Sequence, residues 1–183
     1  GDRAVVASFD DSIAYRAGSV YVFEYDGSSW NETQKLNASD GAVFHYFGGG
    51  TESPHLPYNV APSSGVAIEG DVIAIGARGD LSNRGAVYVF EHNGSSFVET
   101  QKLQQSDGEA NDEFGKSLAI ANGVIFATSP GDDDTASGSG AVIVYSHDGS
   151  SWVEEQKLKA SDAAASDEFG TSVGADGDRV IVG

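Results

Sequence analysis

Gly85-Ala86-Val87-Tyr88-Val89-Phe90, then Asn93-Gly94-Ser95-Ser96-Phe97, then Gln101-Lys102-Leu103: this ordered set occurs in three copies along 183 residues. The earlier copy is Gly18-Ser19-Val20-Tyr21-Val22-Phe23, Asp26-Gly27-Ser28-Ser29-Trp30 and Gln34-Lys35-Leu36. The later one is Gly140-Ala141-Val142-Ile143-Val144-Tyr145, Asp148-Gly149-Ser150-Ser151-Trp152 and Gln156-Lys157-Leu158. The spacings are 67 and 55 residues. The Asn-Gly and Asp-Gly pairs accept the positive φ of a tight turn, so each copy predicts a hairpin. The aromatic after each turn (Trp30, Phe97, Trp152) seeds the return strand.

Further signatures fill the rest of the period. Phe114-Gly115-Lys116-Ser117-Leu118-Ala119 matches Phe169-Gly170-Thr171-Ser172-Val173-Gly174. Gly70-Asp71-Val72-Ile73-Ala74-Ile75-Gly76 matches Gly123-Val124-Ile125-Phe126-Ala127 and Gly177-Asp178-Arg179-Val180-Ile181-Val182-Gly183. Each period then holds four short β-prone runs, in the best copy Ser117–Ala121, Val124–Thr128, Gly140–Ser146 and Trp152–Leu158. Four antiparallel strands per ~40–60 residues is the arithmetic of a propeller blade. A blade cannot bury both faces alone, so blades must stack.

The fold expected is all-β, about three and a half blades. The divisions fall at 1–36 (strands two to four), 37–103 (a blade with an insertion near 49–63), 104–158 (a complete blade) and 159–183 (strands one and two). A chain with no Met that opens on Gly1-Asp2-Arg3 is expected to be an excised segment.

The formal charge is −18, from 28 acidic and 10 basic residues. Such a surface repels phosphate backbones and anionic lipid, which excludes nucleic acid as the expected partner. No apolar stretch approaches the roughly 20 residues of a membrane helix. There is no Cys to ligate metal or act as a nucleophile.

The run Phe-Gly-x-Ser-Val/Leu-Ala, then Val-Ile-x-Val-Gly, then a remnant of Ala-Pro-Gly-Asp resembles the FG-GAP repeat, the blade unit of the integrin α-subunit propeller. The remnants are Gly76-Ala77-Arg78-Gly79-Asp80 and Ser129-Pro130-Gly131-Asp132. The resemblance covers nearly the whole chain and implies a seven-bladed propeller in the complete protein. It also implies a calcium loop between strands one and two. Here that connection is too short for a cage of six to eight oxygens, as in Ala121-Asn122-Gly123.

Other candidate residues fall in the connections between strands and at hairpin tips. Asp132, Asp133 and Asp134 form an acidic run between strands two and three, a candidate calcium site, with a solvated loop as the alternative. Arg78-Gly79-Asp80 spells a cell-adhesion tripeptide in a loop expected to be exposed, although one Pro-to-Arg change in the repeat would create it. His45, His55 and Tyr58 flank or occupy the segment that breaks the repeat, where ligand or partner contacts concentrate. Asn31, Asn37 and Asn93 head Asn-x-Ser/Thr sequons, candidate glycan acceptors on a secreted protein.

No nucleophile elbow, phosphate loop or His-rich triad appears, so no enzymatic activity is expected. The leading expectation is an extracellular structural or adhesive module that contacts other protein chains, copies of itself included, in a filament or cell-surface assembly. A carbohydrate- or cation-binding module of a secreted enzyme is the second reading. A propeller enzyme with its active residues in other blades is the third.

Overall fold

The computed structural model describes residues 2–8, 15–49 and 65–183. Among these residues, thirteen strands fall into four antiparallel sheets. The first sheet holds β1 (Arg3–Ser8), β2 (Ser19–Tyr25) and β3 (Trp30–Leu36) in that order. The second holds β4 (Val66–Glu69), β5 (Val72–Gly76), β6 (Val87–His92) and β7 (Phe97–Leu103). The third holds β8 (Leu118–Ala121), β9 (Val124–Ser129), β10 (Ala141–His147) and β11 (Trp152–Leu158). The last pair is β12 (Val173–Asp176) and β13 (Arg179–Val182). The strands expected in the best copy are present to within a residue, and the sheets are β-propeller blades.

Blade stacking is visible in which residues bury together. On β6, Tyr88 and Phe90 enter a core shared with Val20, Val22 and Leu36 of the first blade. Val87 and Val89, one residue out of phase, enter a second core with Phe114, Ile125 and Ile143 of the third. The alternation in Val-Tyr-Val-Phe therefore buries both faces of one strand, as a sandwiched sheet requires.

Each outer hairpin carries the same register shift, between Val22 and Phe23, Val89 and Phe90, and Val144 and Tyr145. The residue left over on the outer strand is Thr33, Thr100 or Glu155. A bulge of one residue reverses which face the following side chains take. Phe97, ahead of the bulge, packs into the core shared with the first blade. Leu103, beyond it, packs into the core shared with the third. One strand thereby grips both neighbouring blades.

The Phe-Gly signature latches blades as well. Gly85 forms a parallel bridge to Phe114, and Gly140 to Phe169. The Phe114 N–H donates to the Arg84 carbonyl at 3.0 Å. The glycine that opens the third strand of one blade therefore lies against the entry segment of the next.

Candidate functional site

The recurring Gln-Lys-Leu resolves into three tasks at the junctions between blades. Leu36 and Leu103 are core residues, 2% exposed each. Gln34 clamps the first residue of the next outer strand: its Nε2 donates to the Phe97 carbonyl at 2.8 Å, and the Phe97 N–H donates to its Oε1 at 2.8 Å. Gln101 does the same to Trp152, at 2.8 and 2.7 Å. A side-chain amide carries donor and acceptor side by side, so it can satisfy the N–H and the C=O of one residue at once. The serine three residues beyond each Leu adds a second strap. Ser39 donates its N–H and hydroxyl to Glu99, and Ser106 donates both to Glu154.

Gln101→Ala removes both bonds of one clamp and strands the Trp152 N–H at a partly buried junction. A loss of about 2 kcal/mol is expected by urea unfolding, the sum of one net hydrogen bond and one unsatisfied donor.

The lysines occupy the centres of acidic clusters. Lys102 Nζ lies 2.6 Å from Asp40 and also pairs with buried Asp80, while standing 5.0 Å from the Tyr88 ring centroid. Lys157 Nζ lies 2.7 Å from Asp107, 2.8 Å from Asp132 and 2.7 Å from Asp134. Lys159 adds a contact to Asp134 at 2.9 Å. These partners hold the Asp134 carboxyl down at about 2, below its usual value. Lys157 is raised by its three carboxylates against the opposing effect of burial.

The expected Asp132-Asp133-Asp134 cation set is therefore corrected. The carboxylates that converge, with oxygens within 4.8 Å of one another, belong to Asp107, Asp132 and Asp134. Asp133 turns away and accepts the Gly138 N–H. A lysine ammonium stands among the three, where a metal would be coordinated. Beside it, Asp107, Glu109, Asp112, Asp132, Asp133 and Asp134 line a cavity of about 110 Å³. Burial first, then the Asp132 and Asp133 charges, push the Asp112 carboxyl up. Asp112 and Asp167 cap turns, accepting the N–H of Glu109 and Ala164.

The tripeptide expectation is corrected too. Arg78 is 6% exposed and Asp80 2%. Arg78 pairs with Glu113 at 2.8 Å and lies 4.9 Å from the Tyr46 ring centroid. Asp80 pairs with Lys102 and His45. Both charges are paired inside the fold, so the tripeptide is not presented as the exposed loop that adhesion requires.

His45 is mostly buried against Asp80. His55 and Tyr58 lie outside the described residues. Among the sequons, Asn31 is exposed, whereas the Asn37 amide is partly buried and donates to Ser19 Oγ at 2.7 Å. Asn93 is exposed at a hairpin tip.

A feature that residue type alone does not reveal lies beside His45. Tyr15 and Phe44 pack edge to face with centroids 5.5 Å apart, and Phe44 meets Tyr46 at 6.3 Å. Arg16 sits 5.0 Å from the Tyr15 centroid, and Arg78 closes the far end on Tyr46. This Arg-Tyr-Phe-Tyr-Arg row is open to solvent at Tyr15 (59%), Phe44 (46%) and the adjacent Val43 (54%). Phe44 and Tyr46 have φ of 64° and 55°. The same two positions in the next repeats are Asn111 and Glu113, then Ser166 and Glu168, all likewise at positive φ. Bulky side chains are outliers in that region, and their strain is of order 1–3 kcal/mol. The signal in the sequence is the replacement of Asn-Asp-Glu by Phe-His-Tyr just before Phe47.

The family model described as FG-GAP repeat matches residues 97–145 and 152–183. No curated protein matches the chain. No helix among the described residues is long and apolar enough to cross a membrane.

Proposed function

Since the chain is an FG-GAP repeat protein, we propose that it is an extracellular, non-enzymatic β-propeller module that makes adhesive or structural contacts with other protein chains, copies of itself included. The repeat family supports a role in protein–protein interaction. The observation that carries the reading is the exposed Tyr15–Phe44 ridge, with Arg16 stacked on Tyr15. Aromatic residues and Arg are enriched at the centres of protein interfaces. Here they replace polar residues at left-handed positions in one repeat alone, where the backbone disfavours them. The face around the row is the loop face, formed by the 15–17, 42–47 and 78–84 connections, which hydrogen-bond to one another.

The substitution Phe44→Asn restores the residue type of the neighbouring repeat. Its melting temperature is expected to match or exceed that of the parent, because strain is relieved. Assembly of the purified chain, followed by sedimentation and electron microscopy, is expected in the parent and lost in the variant. A glycan bound by the parent and released by Phe44→Asn would instead support a carbohydrate-binding module. A parent that stays monomeric at all concentrations and binds no glycan would overturn the proposal.

A further inference from the structure

We propose that Asn93 is a self-modifying site, at which the chain converts this asparagine to aspartate without an enzyme. The hairpin tip places three elements of the reaction around one amide. The nucleophile is the backbone nitrogen of Gly94, whose N–H donates to His92 Nδ1 at 3.2 Å. A neutral imidazole nitrogen is the acceptor such a proton needs. The electrophile is Asn93 Cγ. Its oxygen Oδ1 accepts the Ser95 N–H at 3.0 Å, the Ser95 hydroxyl at 2.9 Å and the Ser96 N–H at 3.1 Å. Those donors are aimed where negative charge develops as Cγ becomes tetrahedral, the logic of an oxyanion hole. Gly94 has φ 97° and nothing within 4 Å of the place a Cβ would take, so water reaches the site.

The step balances without a further reactant than water. His92 takes the Gly94 proton as the nitrogen bonds to Cγ. The Cγ–Nδ2 bond breaks, Nδ2 recovers a proton from the imidazolium, and ammonia leaves. Water then opens the five-membered imide at either carbonyl, giving aspartate or its isomer with the chain running through the side chain.

The aspartate product is the residue the other two hairpins already carry. Asp26 accepts from Ser28 and Ser29, and Asp148 from Ser150 and Ser151, with the same pattern of donors. His147 Nδ1 likewise accepts the Gly149 N–H at 3.1 Å. Either product adds one negative charge and erases the Asn93-Gly94-Ser95 sequon, and the aspartate product also keeps the turn. A glycan on Nδ2 would block it.

The chain holds its own comparison. Asn122-Gly123 is also an exposed Asn-Gly turn, but there Glu69 accepts both the Asn122 and Gly123 N–H groups, at 2.9 and 2.8 Å. A carboxylate is a weaker base than an imidazole. Among the described residues no donor is held on the Asn122 side-chain oxygen.

The test is timed incubation of the unglycosylated full chain at 37 °C and neutral pH, with peptide mapping by mass spectrometry. Amide-to-acid conversion is expected at Asn93 well ahead of Asn122 in the same sample. His92→Phe keeps the ring packed against Phe97, where the imidazole now stands at 5.0 Å, and is expected to slow Asn93 by about tenfold with Asn122 unchanged. Asn93→Asp is expected to melt with the parent. Equal rates at Asn93 and Asn122, or an Asn93 rate untouched by His92→Phe, would overturn the assignment. A rise at both sites together would report unfolding of the variant, and Ser95→Ala then decides: slowing at Asn93 alone supports the proposal, and no change defeats it.

Discussion

Gly85→Ala is expected to destabilise the chain by about 4 kcal/mol, because one added methyl group pries open a blade junction. A Cβ at Gly85 would stand 2.1 Å from the Phe114 carbonyl oxygen and 2.5 Å from its nitrogen. Both are backbone atoms of the neighbouring blade, fixed by the Phe114-to-Arg84 hydrogen bond, so neither can move without opening the junction. The φ of 89° adds the ordinary penalty for a non-glycine residue in the left-handed region. Gly149→Ala separates the two contributions. Its φ is 100° and nothing lies within 4 Å of the added carbon, so about 1 kcal/mol is expected. Urea unfolding of both variants checks the difference. A Gly85→Ala loss no greater than that of Gly149→Ala would show that blades do not meet at this glycine.

That same glycine shows what was legible in the sequence. Gly18, Gly85 and Gly140 stand out as the shared opening of a strand in all three copies, yet nothing local says why a side chain is refused. The reason lies in the next blade, at Phe47, Phe114 and Phe169. Elements set by neighbours along the chain were readable. The hairpin turns follow from Asp-Gly and Asn-Gly, and the two-sided burial of β6 follows from its alternation. Relations between blades were not. The bulges at Thr33 and Thr100 leave no mark in hydrophobic pattern, because the reversal of facing falls among polar residues. The glutamine clamps look like solvated side chains on an outer strand. The Asp132–Asp134 run and the Arg78-Gly79-Asp80 loop look exposed for a related reason: the lysines and the glutamate that neutralise them lie 22 to 35 residues away. The aromatic row was hidden in the opposite sense. Phe44 passes for a core residue by type, and it takes alignment with Asn111 and Ser166, together with its exposure and positive φ, to show that it sits at a polar surface position.

Lys157→Met is expected to lower stability by about 3 kcal/mol and to make the chain respond to calcium. Lys157 is 12% exposed, and one of its three partners, Asp132, is 2% exposed. Removing the ammonium leaves a buried carboxylate uncompensated, which outweighs the better burial of methionine. Three carboxylates within 4.8 Å then face an open centre. Water must supply most of the remaining ligands, so affinity of order 10⁻³ M is expected. At ten times that concentration, calcium restores about 1.4 kcal/mol by mass action. In the parent the ammonium already holds the position, and calcium is expected to leave the unfolding midpoint unmoved.

Acid provides an independent reading of the same cluster. The Asp134 carboxyl titrates at about 2 in the folded chain against 3.8 ordinarily. Its contribution is present above the unfolded value and is lost as pH falls from about 4 through 2. With Lys157 gone, only Lys159 remains to hold that value down, so this acid limb is expected to shrink. Lys157→Met with Asp132→Asn removes the buried charge along with its partner and is expected to recover much of the stability while losing the calcium response. Equal stabilisation of parent and Lys157→Met by calcium would place the cation elsewhere in the acidic surface, and the lysine would then be a neighbour of the site instead of its occupant.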